Sequence, residues 1–324
     1  MPLDVLASAS QYADHAVAVF GALPEAERGS LVVPRQLTDR VRDRGFAVRS
    51  LSESGGENPM LVASYGDLGR AVASGRTRLA LMEHGAGQSY GGRHLSALHG
   101  SYAGGRNRDA ASLFLHPGEH PAERDRKAYP DARVEVVGSP ILDTLPKREG
   151  DPGRVVAVSF HFNSPIAPES RNALPWLWPG VLALAERFQV LGHAHPRTFE
   201  KYRLSYQRHG IEPVREFTDV CRRADVYVCD NSSTLFAFAA TGRPVVVVNA
   251  PWYDRRVNHG LRFWEAADVG VQCDDPADLT RCVEEALKDK AAQQKRRERA
   301  LDLVYAYRDG AAQRAADVLL EWAS

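Results

Sequence analysis

A histidine follows an apolar run in the stretch RLALMEHGAGQSYGG (78–92). An imidazole at the tip of a strand can remove a proton from a hydroxyl group, so His84 is a candidate general base. Glu83 stands directly before it, and Gly85 and Gly87 would let the backbone approach a ligand closely. The same residues also suit a tight turn around a satisfied histidine, and the spacing alone leaves both interpretations open.

Two further histidines close a second apolar run, in VLGHAHPR (190–197). In an extended segment His193 and His195 lie on one face, and together with Arg197 they could hold a diphosphate. A metal site is the rival interpretation, but no third ligand stands at nearby spacing, so we predict no metal. A pair of histidines capping a buried strand is the structural alternative, and it also stays open.

Hydroxyl groups are concentrated in ADVYVCDNSSTLFAFAATGRPVVVV (224–248). The pattern predicts a strand that ends in Asp230 and Asn231, followed directly by a helix. Hydroxyls and unpaired amides at a helix start suit an anion, so we expect a phosphate near Ser232, Ser233 and Thr234. Ordinary N-capping by the same residue types is the structural alternative.

These motifs must be positioned by the elements around them. Short apolar runs alternate with longer stretches of helical period, which indicates parallel sheets covered by helices on both faces. Open sheets of this kind bind ligands beyond the carboxyl ends of their strands, which is where the motifs stand. Asn258 and His259 follow one more such end, in APWYDRRVNHGLRFW (250–264), and are candidates for lining a ligand cleft.

A chain of 324 residues suits two cores of roughly 150 residues each. The polar segment LPKREGDPGR (145–154) joins two patterned halves, and we place the domain boundary there. We therefore predict an α/β protein with two Rossmann-like domains, residues 1–146 and 147–324, whose parallel sheets face each other across a cleft. The stretch from Asp278 to Ser324 contains no proline and is predicted to be an almost wholly helical tail of the second domain.

Composition excludes several classes of protein. Lys and Arg together number 41, as do Asp and Glu, so no net field draws the chain to nucleic acid or anionic lipid. The four cysteines have neither zinc-site nor redox-pair spacing. The sequence MPLDVLASASQYADH does not have the pattern of a signal peptide, and no run of about 18 apolar residues occurs. The expected location is the cytoplasm.

Four motifs, taken in order, resemble the CDP-glycerol glycerophosphotransferase family: HGAGQSY, VVGSPILDTL, VLGHAHPR and CDNSSTLFAFAATGRPVVVV. A looser similarity extends to nucleotide-sugar glycosyltransferases and UDP-N-acetylglucosamine 2-epimerases. The resemblance covers about residues 78–273 and rests on the order and spacing of the motifs. It implies a GT-B fold and transfer of a glycosyl or glycerophosphate group from a nucleotide-diphosphate donor, of CDP or UDP type, to an acceptor hydroxyl. It implies no cofactor besides that donor substrate.

The resemblance also implies roles for particular residues. His84 is the expected base on the acceptor hydroxyl, and His195, with His193 and Arg197 beside it, is expected to hold the diphosphate with the hydroxyls of Ser232, Ser233 and Thr234. The acceptor stays open between a glycan and a polyol phosphate, with a modified nucleic acid ranked lower, and the oligomeric state is also open. Members of such families often carry an acidic residue where this chain has Ala237.

Three other functions are compatible with the same motifs. A nucleotide-sugar epimerase or hydrolase would need a carboxylate acid/base pair, for which Glu83 and Asp230 are the candidates. An inactive GT-B binding module is suggested by Ala237. An enzyme that modifies nucleic acid would use arginines of the loop SYAGGRNRD (101–109), and this function ranks below the others because such a loop is usually just solvated.

Overall fold

Runs of branched aliphatic residues form parallel strands in two compact units. The computed structural model describes residues 1–42, 45–86, 107–146, 153–163, 171–230, 232–253 and 268–324. The first unit comprises the described residues within Met1–Gly87 and Arg93–Thr144, together with Val304–Ser324. The second unit comprises the described residues within Leu145–Leu303.

The first unit is built on one parallel sheet. In the described part of the chain its strands are β1 (Leu3–Leu6), β2 (Arg28–Val33), β3 (Val48–Ser50), β4 (Met60–Val62), β5 (Leu79–Met82), β6 (Ala111–His116) and β7 (Arg133–Val136). Their order in the sheet is β3-β2-β1-β4-β5-β6-β7. The helices between them are α1 (Ser10–Ala22), α2 (Arg35–Arg42), α3 (Tyr65–Ala73) and α4 (Glu119–Ala128). All residues of β1, β4 and β5 are buried, as expected for strands that are covered on both faces.

The second unit repeats this arrangement. Its described strands are β8 (Val155–Ser159), β9 (Gln189–Gly192), β10 (Glu212–Pro213), β11 (Val226–Cys229), β12 (Val245–Val248) and β13 (Val271–Cys273), in the sheet order β10-β9-β8-β11-β12-β13. Its described helices are α5 (Leu174–Ala185), α6 (Phe199–Arg208), α7 (Phe217–Arg223), α8 (Thr234–Ala239), α9 (Leu279–Leu287) and α10 (Ala291–Val304). The predicted α/β class, with a Rossmann-like sheet in each half, is confirmed.

Each sheet has a point at which the strand order reverses. The chain moves outward from β1 to β3 and then returns to place β4 on the other side of β1, and β8, β10 and β11 repeat this course. A buried carboxylate spans each reversal. Asp67 of α3 accepts a hydrogen bond from the backbone N–H of Ser8 at 3.1 Å, and Asp230 accepts one from the N–H of His161 at 2.9 Å. These reversal points are where open α/β sheets bind ligands.

The C-terminal tail consists of three helices rather than one continuous run. Breaks follow α9 and α10, near Asp289 with φ +34° and Gly310 with φ +60°. The final helix, α11 (Ala311–Ala323), packs against α1 and is capped by the Asp143 carboxylate, which accepts a hydrogen bond from the N–H of Ala312 at 2.7 Å. The sequence pattern predicted that this helix belongs to the second domain, whereas the structure places it in the core of the first unit.

No helix in the described ranges is both long and apolar enough to cross a membrane.

The packing of α11 can be tested by substitution. Leu319 is fully buried in the same apolar cluster as Phe20 and Leu61, so Leu319→Ala should cost about 2–5 kcal/mol of unfolding free energy through the cavity that it leaves. Leu303→Ala is the matched control, because that leucine of α10 is 53% exposed and such a change typically costs less than about 0.5 kcal/mol. Urea unfolding of both variants provides the measurement. Equal losses in the two variants would contradict the assignment of α11 to the core.

Candidate functional site

The carboxyl edge of the second sheet is organised around Asp230. This carboxylate directly follows β11 and is fully buried. Its two oxygens accept the backbone N–H of His161 at 2.9 and 3.1 Å, and one of them accepts the Tyr253 hydroxyl at 3.2 Å. Asp230 therefore ties the loops after β8 and β12 to the end of β11, which is an anchoring role and not that of a solvent-facing acid.

His195 presents a defined tautomer at this edge. Its ring Nδ1 accepts the backbone N–H of Arg197 at 3.2 Å, so in the neutral ring the hydrogen lies on Nε2 and that nitrogen is the donor. Its carbonyl accepts the N–H groups of Thr198 and Phe199 at 2.8 and 3.0 Å and so leads the chain into α6. His195 is half-buried, and the ligand-facing role predicted for it stays a prediction.

Arg197 lies beside His195 on the surface. Its guanidinium group sits 4.9 Å from the centre of the Phe162 ring, which packs against the His195 ring at 4.5 Å. An adjoining groove of about 280 Å³ is lined by Phe162, Asn163, Asn172, Arg197, Thr198, Lys201 and Tyr202. Two exposed cations beside aromatic faces suit a ligand that combines negative charge with a flat group.

His161 is a member of this edge that the sequence analysis missed. Its ring stacks on Phe162 at 4.4 Å and lies 6.3 Å from the ring of His195. Its Nδ1 lies 2.7 Å from the Phe162 carbonyl, which can only accept, so Nδ1 carries a hydrogen. The signal was available, because His161 follows an apolar run (155–160) just as His84 and His193 do.

His193 has surroundings quite unlike those of His195, although the two were expected to share a face. It is only 5% exposed, its Nδ1 lies 2.8 Å from the Ser159 hydroxyl, and its carbonyl accepts the Tyr206 hydroxyl at 3.2 Å. Burial lowers the pKa of His193 to about 4, so the ring is neutral at pH 7. His193 is therefore buried inside the unit, whereas His195 is half-buried and Arg197 is exposed to solvent.

The hydroxyl cluster leads into a short helix. Helix α8 has six residues, fewer than two turns, and Ser233 at its N-cap makes no side-chain capping bond. Thr234 instead donates its hydroxyl hydrogen to the Ser232 oxygen at 3.0 Å, and its own oxygen lies 2.9 Å from the Tyr227 phenol oxygen. Ala237 is buried on this helix and offers no polar group.

His84 lies at the carboxyl edge of the first sheet, directly beyond β5. Its ring meets the Tyr12 ring edge-on at 4.6 Å, and Gly85 after it has φ +83°, a conformation that favours glycine. Burial lowers the pKa of His84 to about 4, and a hydrogen bond to the Ala63 backbone opposes that shift. Because the Ala63 carbonyl takes one ring N–H, the second nitrogen of the neutral ring keeps a lone pair that can accept a proton.

Glu83 belongs to a buried ion-pair cluster. Arg108 lies 2.5 Å from the Glu83 carboxylate and 3.3 Å from that of Asp125, and His116 Nε2 lies 3.0 Å from the second Asp125 oxygen. Burial raises the pKa of Glu83, and the neighbouring Arg108 opposes the rise. The side chains of Glu83, His116 and Asp125 lie close enough together to hold a cation. The guanidinium group of Arg108, however, already supplies the positive charge between the two carboxylates. Glu83 therefore takes part in internal packing.

Four predicted positions, Gly87, Asn231, Asn258 and His259, fall outside the described residues.

Part of the chain matches a known protein family in sequence. Residues 181–321 match the family model of CDP-glycerol:poly(glycerophosphate) glycerophosphotransferases. The resemblance identified from the motifs is thereby confirmed, and the matched stretch contains His193, His195, Arg197 and the hydroxyl cluster. The motif around His84 precedes it. No curated protein matches the chain in sequence.

Solved structures agree on the fold. The wall teichoic acid polymerase TagF, in a crystal soaked with CDPG, has a TM-score of 0.65 and 11% identity over 99% of this chain and 88% of its own. MnaA of S. aureus, in complex with UDP, has a TM-score of 0.65 and 14% identity over 99% and 96%. MurG of Acinetobacter baumannii has a TM-score of 0.52 and 13% identity over 99% of each chain. The predicted GT-B fold is confirmed.

The structural role of Glu83 can be tested against an acid/base role. Arg108→Met leaves two buried carboxylates without their counter-charge and should cost about 3–5 kcal/mol of unfolding free energy. Adding Glu83→Gln should recover part of that loss. The exposed pair between Arg126 and Glu119 is the control, and Arg126→Met should cost less than about 1 kcal/mol. Thermal unfolding gives the comparison, and a fully stable Glu83→Gln variant that lacks all activity would contradict the structural role.

Proposed function

We propose that this protein transfers a glycosyl or glycerophosphate group from a nucleotide-diphosphate donor to an acceptor hydroxyl. The observation that carries the proposal is the group of hydrogen-bond donors at the carboxyl edge of the second sheet, formed by His195 Nε2, the Arg197 guanidinium and the Ser232 hydroxyl. These groups stand near the strand reversal where such sheets bind ligands, within the stretch that matches the glycerophosphotransferase family.

On the donor side, the chemistry requires that negative charge be stabilised as the nucleoside diphosphate leaves. Charge-assisted hydrogen bonds from arginine and histidine are stronger than neutral ones, and donors fixed before the reaction need no reorganisation. The groove beside Arg197, which is also lined by Phe162 and Tyr202, suits a ligand that carries both charge and a flat ring. A CDP- or UDP-type donor is in keeping with the TagF structure soaked with CDPG and the MnaA structure with UDP.

On the acceptor side, His84 is the proposed base. Its depressed pKa keeps the ring neutral at pH 7, and the nitrogen not bound to Ala63 is the one proposed to take the hydroxyl proton. An anionic substrate beside the ring favours the imidazolium form and raises the pKa of His84 as the reaction needs it. A glycan or a polyol phosphate, each with a free hydroxyl, is the proposed acceptor.

An epimerase or hydrolase of a nucleotide sugar is the second candidate, because a UDP-N-acetylglucosamine 2-epimerase is among the similar folds. That chemistry needs a carboxylate acid/base pair in the ligand site. Glu83 is held by Arg108 and Asp230 by His161 and Tyr253, so both named carboxylates are already engaged in internal contacts. The transferase is therefore the better-supported function. An inactive binding module, suggested by Ala237, would bind the donor without turnover.

The two halves of the proposal can be separated by mutation. His84→Ala should lower the turnover rate by about 10²- to 10⁴-fold and leave the Kd for CDP or UDP nearly unchanged. The double variant Ser232→Ala, Ser233→Ala should raise that Kd by about tenfold or more, since hydrogen bonds to charged groups are lost. Calorimetry gives the Kd, and product formation from CDP-glycerol and UDP-sugar donors gives the rate. His120→Ala, an exposed histidine of the same unit as His84, is the control. The opposite pattern would overturn the assignment of roles.

The pH profile provides a further test. Because the pKa of His84 is lowered to about 4, the acid limb of kcat/KM should lie near pH 4 and not near the ordinary histidine value of about 6.5. The depressed pKa values of His15, His84 and His193 also mean that the unfolded chain takes up protons first. Stability therefore falls as the pH decreases from about 6.5 towards 4. Circular dichroism at each pH shows where the fold persists, and an acid limb near 6.5 in the folded protein would exclude the depressed His84.

A further inference from the structure

A chain of side-chain hydroxyls runs beneath the carboxyl edge of the second sheet and ends at Ser232. Register places Ser159 opposite Cys229 on neighbouring strands, and Tyr227, two residues before Cys229, lies on the same face. His193 Nδ1 lies 2.8 Å from the Ser159 oxygen, Tyr227 lies 2.9 Å from Thr234, and Thr234 lies 3.0 Å from Ser232. Side chains from four separate segments are thus brought into one line.

In the middle of this line, Ser159 and Tyr227 lie on the same face of the adjacent strands β8 and β11. Burial raises the pKa of the Tyr227 phenol well above its ordinary value, and the neighbouring hydroxyls of Ser159 and Thr234 oppose the rise. Ser159 and Tyr227 are at most 2% exposed. Water therefore does not compete for this part of the line.

The hydrogens in this line can be counted, because each hydroxyl has one to give. Thr234 gives its hydrogen to Ser232, so towards Tyr227 it can only accept, and Tyr227 is the donor. In a hydrogen bond with Ser159, the Tyr227 oxygen would therefore be the acceptor.

The same count fixes the two ends of the line. A Ser159 hydroxyl that donates to Tyr227 must accept from His193, which would place the histidine hydrogen on Nδ1. At the other end, the Ser232 hydrogen is not used within the line and can be given to a ligand.

We propose that these side chains form a directed relay, here called the Tyr227 relay, in which the Ser159 hydroxyl donates to the Tyr227 oxygen and the Ser232 hydroxyl is turned outward as a donor to the leaving diphosphate. Its members are His193, Ser159, Tyr227 and Thr234. The proposal rests on the proposed function for the identity of the ligand, and on the hydrogen count for the direction.

In this relay Thr234 and His193 are positioning residues, not phosphate ligands as the sequence analysis expected. Thr234 has already given away its hydrogen, and neutral His193 points its N–H inward to Ser159. Hydrogen bonds aligned in one direction polarise one another, so each step strengthens the donor at the end. Direct contact with the diphosphate is thereby confined to Ser232, His195, Arg197 and, at the N-cap, Ser233.

The direction of the relay can be tested without any ligand. In protein labelled with ¹⁵N-histidine, long-range ¹H–¹⁵N spectra distinguish the two tautomers, and a His193→Gln variant assigns the signal. We expect the Nδ1–H tautomer at His193 in the unmodified protein. Tyr227→Phe removes the acceptor for Ser159, lets that hydroxyl turn to His193, and should shift the tautomer towards Nε2–H. An Nε2–H tautomer at the outset, or no change in the variant, would overturn the relay.

The effect on the donor site is tested by binding of CDP and UDP, measured by calorimetry. Tyr227→Phe should raise the Kd by about 3- to 10-fold, and Ser232→Ala by about tenfold. Because the relay acts through Ser232, adding Tyr227→Phe to Ser232→Ala should change the Kd by less than about twofold. Tyr305→Phe, another buried tyrosine, is the matched control and should leave the Kd unchanged. Additive losses in the double variant would overturn the relay.

Thr234 provides the last distinction. Thr234→Ser keeps the hydroxyl and should keep the Kd, whereas Thr234→Val should weaken binding as much as Tyr227→Phe does. In the Ser232→Ala background Thr234→Val should be silent, and a further loss there would make Thr234 a direct ligand and overturn its positioning role. If the unmodified protein binds neither CDP nor UDP, the proposed function fails, and the tautomer measurement still decides the relay.

Discussion

A backbone N–H just beyond the end of the central strand no longer has a partner in the sheet and needs another acceptor. This requirement organises both units. In the first unit the N–H of Ser8 is taken by Asp67, and in the second the N–H of His161 is taken by Asp230. Both carboxylates are fully buried. A buried charge is tolerated only when hydrogen bonds compensate its lost hydration. Each aspartate therefore fixes the two loops on either side of the strand reversal, and the residues that follow those loops inherit their positions.

The distribution of polar groups at the second edge follows from this anchor. His161 is held by its backbone, so its ring is set against Phe162 and faces His195. Behind this outer layer, His193, Ser159 and Tyr227 form an inner layer that has little contact with solvent. The site thus has donors on the outside and a supporting network within. A sheet that lacked the inner layer would leave the hydroxyls after β11 free to rotate.

Much of the fold was predictable because its signals are local. The apolar run Leu3–Leu6 forms the buried strand β1, as expected of a short apolar run, and the glycine after His84 has the positive φ that a tight turn requires. The site was predictable only in part. A period of two residues placed His193 and His195 together, but β9 ends at Gly192, so the alternation of an extended strand no longer applies beyond it. Glu83 was a candidate for an acid/base pair, and its partner Arg108 comes from a distant segment that no local pattern connects to it. The place of α11 was missed for the same reason, since only the three-dimensional packing pairs it with α1.

The return of the last helix also sets an order of events during synthesis. Residues 145–303 lie between two parts of the first unit, so the ribosome completes the second sheet before the first unit has all of its core. Until Ala311–Ala323 emerge, the α1 surface around Phe20 lacks the residues that cover it. The unit that is synthesised first is therefore the one expected to finish folding last, and a chain arrested before α11 would expose an apolar surface of the kind that chaperones bind.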